Sequence, residues 1–180
     1  MEASLEKKNN EYKMQFRKAK IEDLPVMMGI IEEAQASLKA LGINQWQNGY
    51  PSKEVIENDI NNHNAYVLTD NNTITGMATV IFNNEPTYDV IYNGKWLSIN
   101  DFVVVHRLAV SEKEKKKGIA SKIIGEVSRL AKTKNISSFK IDTHEGNYPM
   151  QRMLMKNGFV KCGTIILKDG NPRIALEKLI

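Results

Sequence analysis

Three consecutive lysines, Lys115, Lys116 and Lys117, stand directly before Gly118-Ile-Ala120-Ser121. Upstream, Arg107-Leu108-Ala109-Val110 closes a β-branched run, and from Gly118 the apolar period becomes helical. The arrangement reads as a buried strand, a charged loop and the start of a helix. A helix N-terminus offers unpaired N–H groups and partial positive charge, which suit an anion. Gly118 and Ala120 are small enough for a ligand to approach the backbone. The lysines oppose the helix dipole at a cost of roughly 0.3–1 kcal/mol per exposed charge, and a docked polyanion would relieve it. Read alone, the segment is equally a solvated charge run on a surface turn.

The other groups able to do chemistry are sparse. The three histidines, His63, His106 and His144, lie far apart. With Cys162 the lone cysteine, an intramolecular disulfide and a cysteine-cluster metal site are excluded, and no metal is expected. His106 falls within the strand before the lysine loop. By alternation it shares a face with Phe102, Val104 and Leu108, so it is either a satisfied core histidine or a base facing a substrate. His144 follows a strand's end, where base, ligand contact and surface residue are all open. Glu85 and Glu145 are weaker candidate bases, and Asp142 reads as structural.

The elements that must position these groups follow from periodicity. A strand is expected over 14–19, then a helix capped by Asp23 with Pro25 in its first turn and a stop at Gly42. Pro51-Ser52 opens a second helix. Strands over 65–69 and 73–82 flank the short polar turn Asp70-Asn-Asn72. The stretch 83–100 is irregular. A strand over 102–110, a helix over 118–134 and a strand over 138–142 make a βαβ unit, expected to be parallel and right-handed. A helix over 148–157 ended by Gly158 and strands over 160–167 and 172–177 complete the chain. Mixed hairpins and crossovers imply an α/β (α+β mixed) fold.

Lys115-Lys-Lys-Gly118-Ile-Ala120, Asn147 opening a helix that ends in Gly158-Phe159, and the opening Phe16-Arg-Lys-Ala-Lys-Ile-Glu-Asp-Leu24 together resemble the GNAT superfamily of N-acetyltransferases. Lysine replaces the usual glutamine or arginine at the head of the phosphate loop. The resemblance spans roughly residues 14 to 177 and implies a largely antiparallel central sheet of about six to seven strands, a splayed central pair and about four flanking helices. It also implies acetyl transfer from acetyl-CoA, a co-substrate, to a primary amine by direct attack on the thioester.

On that resemblance the CoA pyrophosphate sits on the N–H groups of Lys117, Gly118, Ile119, Ala120 and Ser121, with Lys115, Lys116 and Lys117 neutralising it. The pantetheine arm runs along Leu108, Ala109 and Val110, and Asn147, Met150 and Leu154 contact the cofactor from the following helix. The Leu108 backbone N–H would polarise the acetyl carbonyl. Many members carry a tyrosine acid seven positions after the asparagine; here that position is Leu154. Tyr148, Cys162 or a residue of 83–100 would have to substitute, or the thiolate leaves unaided. The amine, with a pKa near 10.4, needs a base, for which His106 and His144 stand as candidates. Trp46, Tyr50, Glu85, Tyr88 and Trp96 fall on the loops expected to line the acceptor cleft; the alternative, and for any single tryptophan the better reading, is that Trp46 and Trp96 pin their loops to the core.

The chain's 180 residues, with Lys+Arg 25 against Asp+Glu 21, bound these readings. Residues 1–12 read as a polar lead-in and 13–180 as a single domain. No apolar run reaches the roughly 18 residues of a membrane span, and the N-terminus lacks a signal-peptide core, so a cytoplasmic protein is expected. The isoelectric point of about 9.0 permits nucleic acid, but charges of both signs interleave and no nucleic-acid motif is present, so no such partner and no membrane partner are expected. The acceptor is a small amine, an amino acid derivative or a protein N-terminus. No acidic cluster of the kind a polyamine favours is evident. Dimers are common among the proteins it resembles, though nothing marks a homodimer interface. A catalytically inactive acyl-CoA-binding module is the alternative.

Overall fold

The computed structural model describes residues 14–180, so the lead-in at 1–12 lies outside the described residues. Strand β1 (Met14–Lys18) is followed by helices α1 (Leu24–Ala40) and α2 (Lys53–Asn61). Strands β2 (Ala65–Asp70), β3 (Thr73–Phe82) and β4 (Phe102–Val110) come next. Helix α3 (Ile119–Thr133), β5 (Ser138–Thr143), α4 (Tyr148–Lys156), β6 (Val160–Ile166) and β7 (Pro172–Leu179) complete the order. The seven strands form one sheet in the order β1-β2-β3-β4-β5-β7-β6. Only β4 and β5 run parallel, as the α3 crossover requires.

Local sequence accounts for most boundaries. Asn71 and Asn72 both take positive φ, 47° and 66°, which fits a two-residue hairpin loop following the sheet twist. Ser52 caps α2 by accepting from the Val55 N–H. Asn147 caps α4 by accepting from the Met150 N–H at 3.3 Å. Asp23 is a correction: it makes no side-chain cap to α1. Its carboxylate instead accepts a forked pair from Arg17 at 2.7 and 3.0 Å, and the ion pair holds its carboxyl below the ordinary range.

Two apolar layers clamp the sheet. On one face α3 and α4 bury Ile123, Ile124, Val127 and Leu154 against Val103, Val105, Leu108 and Phe139. On the other, α1 and α2 bury Met27, Ile31 and Ile56 against Val67, Met77 and Ala109. Beyond these helices that second face is covered by segment 83–101, where Tyr88 packs with Val104, Ile165 and Ala175.

Candidate active site

Strand β4 organises the site through two irregularities. Met77 of β3 pairs with Ala109 and Thr79 with His106, so β4 carries one residue more than β3 across this interval. The extra residue is Arg107, with φ 52°. Such a bulge flips the alternation beyond it. Leu108 joins the α3 face with Val103 and Val105. His106 stays on the face of Phe102 and Val104, so the expectation that His106 and Leu108 share a face is overturned. The second irregularity is a splay: β4 pairs with β5 only from Phe102↔Ser138 to Val104↔Lys140. From Val105 onward the β5 side of β4 has no ladder partner among the described residues.

A cavity of about 1010 Å³ opens along this splay. At one end it meets Lys115, Lys116, Ala120, Asn147 and Met150, and at the other Trp46, Tyr50, Glu85, Tyr88, His106 and Asp142. Leu108, Ala109 and Val110 line it between. A second hollow of about 370 Å³ lies over Gly118, Ile119, Ala120 and Ser121, with Lys115, Lys116, Arg152 and Lys156 around it. Gly118 caps α3 in the left-handed region at φ 78°, a conformation glycine adopts without steric penalty. The following N–H groups belong to the first turn of α3 and have no intrahelical acceptor. The Lys117 N–H is instead donated to the Glu114 carbonyl at 3.4 Å. Helix α1 fastens the loop: Glu33 accepts from the Glu112 N–H at 2.7 Å, and Lys115 donates to Ser37 at 2.5 Å and pairs with Glu112.

The opposite end holds two hydrogen-bonded pairs. His106 Nε2 lies 2.6 Å from Glu85 Oε2, and the Tyr88 hydroxyl donates to Asp142 Oδ1 at 2.7 Å. Burial and the Asp142 charge push the Tyr88 hydroxyl well above its ordinary range, so it keeps its proton. Burial also raises Asp142, against the hydrogen bond from Tyr88. Arg107 turns towards α2, where Nε and Nη2 donate to Asp59 at 2.6 and 2.8 Å and Nη1 donates to the Tyr50 hydroxyl at 2.6 Å.

The family model for acetyltransferases of the GNAT family matches residues 32–159. The chain belongs to this family. An acetyltransferase of the GNAT family from Streptococcus agalactiae 2603 is 35% identical, with a TM-score of 0.84, covering 94% of this chain and 97% of that one. The PaiA N-acetyltransferase from Thermoplasma acidophilum, solved in complex with coenzyme A, shares the fold at 20% identity and a TM-score of 0.67, covering 93% and 99%. The ribosomal-protein-alanine N-acetyltransferase from Brucella melitensis does so at 16% identity and 0.66, covering 92% and 99%. A search of curated proteins found no match.

Against the GNAT frame, several expected site residues stand elsewhere. Leu154 is wholly buried in the core between α4 and the sheet and lines neither hollow. Lys117 also lines neither, and its ammonium pairs with Glu114 at 3.1 Å. The His144 Nδ1 accepts from the Gly146 N–H at 2.9 Å, holding the turn before α4 outside both hollows. Trp96 pins its loop: its indole N–H donates to the Tyr88 carbonyl at 2.9 Å and its ring covers the Lys140 ammonium. Tyr148 is exposed and Cys162 buried, and neither lines the cavity. Asp142, read as structural, faces the cavity, and so does Arg107; their partners are 54 and 48 residues away, beyond any local signal. Among the described residues no group of three or more His, Cys, Asp or Glu is placed to hold a metal ion. No described helix is long and apolar enough to cross a membrane.

The Glu85 carboxyl has a measurable signature. Burial raises its pKa, but hydrogen bonds from His106 and Thr87 outweigh burial and hold it at about 2, below the ordinary 4.5. A depressed carboxylate stabilises the fold fully above its unfolded pKa and loses that contribution as pH falls through its folded one. Stability should therefore decline between pH 4.5 and about 2. In Glu85→Gln this part of the acid slope should vanish. Denaturant titrations of both proteins at stepped pH check it, and parallel slopes would dissociate Glu85 from His106.

Proposed function

We propose that this GNAT protein transfers an acetyl group from acetyl-CoA to a primary amine by direct attack on the thioester. One observation carries the reading: a single cavity joins the anion-receptive start of α3 to a half-buried histidine–carboxylate pair, through the splay beside β4. Acetyl-CoA, when bound, supplies the activated acyl group. The first-turn N–H groups Ile119, Ala120 and Ser121, with Lys115 and Lys116, suit its pyrophosphate. The backbone N–H of Leu108 lies on the unpartnered stretch of β4 and is the donor assigned to the developing oxyanion.

His106 is assigned as the base. Glu85 orients its ring and stabilises the imidazolium after it takes a proton from the amine. A thiolate is a tolerable leaving group, so the reading asks for no acid at Leu154. The core position of Leu154 does lend support to a second reading, a protein that binds acyl-CoA without turnover.

Thermal unfolding with acetyl-CoA tests the cofactor. At about 100 times its dissociation constant the ligand should add roughly 2.7 kcal/mol. For a chain of this size that is a rise of roughly 5–10 °C in Tm. An unchanged Tm at saturating acetyl-CoA would sink both readings. A rise with CoA release on adding amines supports transfer, and a rise without release with any amine supports the binding module.

A further inference from the structure

We infer that the acceptor is a primary amine bearing a carboxylate, an amino acid or its close analogue, and that Arg173 receives the carboxylate. The inference deepens the acetyl-transfer reading and rests on it. It comes from asking which cations at the acceptor end of the cavity are already satisfied. Arg107 is spent on the forked pair with Asp59 and on Tyr50. Lys115 is held by Glu112 and Ser37, and Lys116 belongs to the phosphate end. Two cations remain on the cavity wall, Lys168 and Arg173; among the described residues neither makes an ion pair, and of the two only arginine offers a planar pair of donors. The one hydrogen bond of Arg173 is from Nη1 to the neighbouring Pro172 carbonyl, at 2.9 Å.

The sheet register puts Arg173 on the acceptor side. Asp142 of β5 pairs with Ala175 of β7, so the two share a face, and Arg173 is two residues further along β7. Two residues of strand return to the same face about 7 Å on. Ala175 packs with Val104 and Tyr88, the face on which His106 also lies. The guanidinium thus stands near Asp142 and Asp169, whose charges it offsets without a direct ion pair to either, and Asp142 accepts from the Tyr88 hydroxyl. An α-amino acid has its two charges one carbon apart and needs both a cation and a base within reach. Arginine presents a planar fork that accepts a carboxylate through two N–H donors. Trp46, Tyr50 and Leu167 on the cavity wall favour an apolar or aromatic side chain on the acceptor.

The test uses purified protein with acetyl-CoA and four amines: L-phenylalanine, its amide, phenethylamine, and the aminophosphonate analogue of phenylalanine. CoA release gives kcat/KM for each, and calorimetry in the presence of CoA gives binding independent of turnover. L-Phenylalanine should exceed phenethylamine by roughly 10- to 100-fold, the worth of one or two charge-assisted hydrogen bonds. In Arg173→Met that ratio should fall towards one, and in Arg173→Lys it should be intermediate. Melting curves of both variants establish that they are folded. An aminophosphonate used as well as L-phenylalanine would replace the carboxylate by a general anion requirement and overturn the amino-acid assignment. Equal use of phenethylamine and L-phenylalanine by the wild type would also overturn it, while leaving acetyl transfer standing. Arg173-dependent binding of L-phenylalanine without CoA release would keep the carboxylate site and overturn L-phenylalanine as an acceptor. No binding and no release with any of the four would overturn the amino-acid assignment, and the melting shift with acetyl-CoA then decides transfer separately.

Discussion

Substituting His106 with glutamine should lower kcat/KM for an amine acceptor by about 10²–10⁴ at pH 7, the usual contribution of a positioned general base. Glutamine keeps hydrogen-bonding capacity toward Glu85 but cannot accept a proton at this pH. The deficit should shrink as pH rises towards the pKa of the acceptor, near 10.4 for an alkylamine, because solvent then supplies the free base. Glu85 should act differently. It orients His106 from 2.6 Å and need not touch the substrate, so Glu85→Gln should lower kcat less than His106→Gln and shift the pH profile. Full pH profiles of both variants check this. A His106→Gln enzyme within about threefold of wild type at pH 7 would remove His106 from the proton path.

The largest loss of stability should come from Glu177. Its side chain is wholly buried, with Oε1 accepting from the Ser138 hydroxyl at 2.6 Å and Oε2 from the Leu97 N–H at 2.5 Å. Lys140 is its ladder partner and is itself buried, its ammonium 4.6 Å from the Trp96 ring centre and 4.3 Å from that of Phe102. Burial lowers the Lys140 pKa, and the Glu177 charge works against that. Glu177→Ala strands two donors and removes the compensating charge, an expected cost of about 3–5 kcal/mol. In a chain of this size the Tm should fall by roughly 10 °C or more. Glu177→Gln retains one acceptor oxygen and should cost less. Calorimetric melting of the three proteins checks the order, and a wild-type Tm for Glu177→Ala would mean that loop 95–99 is held by other contacts.

The sheet's strand sequence, its four helices and the lysine–glycine loop were legible because they are local. Periods of two and 3.6 residues, and glycines such as Gly42 and Gly158 just past helix ends, need no knowledge of distant neighbours. The expected cofactor-contacting stretch 108–110 does lie along the cavity for the same reason. What escaped depended on long-range pairing. The family resemblance implies a bulge in this strand, but its place at Arg107 leaves no trace in an alternating string, and arginine is not a residue that advertises positive φ. Glu85 and Tyr88 were expected at the cleft and line the cavity, but their pairing with His106 and Asp142 was not, because it joins an irregular segment to β4 and β5. Trp96 looked like a cleft aromatic because its true partner, Lys140, sits in a strand that composition alone would bury without a cation.

The extra residue in β4 has a consequence for how this strand tolerates change in length. On the proposed reading, the strand offers His106 to the acceptor on one side and the Leu108 backbone to the acyl donor on the other. The two reactants are addressed by neighbouring stretches of one chain whose facing differs by a single count. A substitution along β4 alters one side chain. A deletion or insertion of one residue there exchanges the faces of everything after it, moving Leu108 from the α3 layer to the α1 layer and Ala109 the other way. Length variation among related sequences should therefore collect in the segments before and after β4, and within the strand it should occur by pairs.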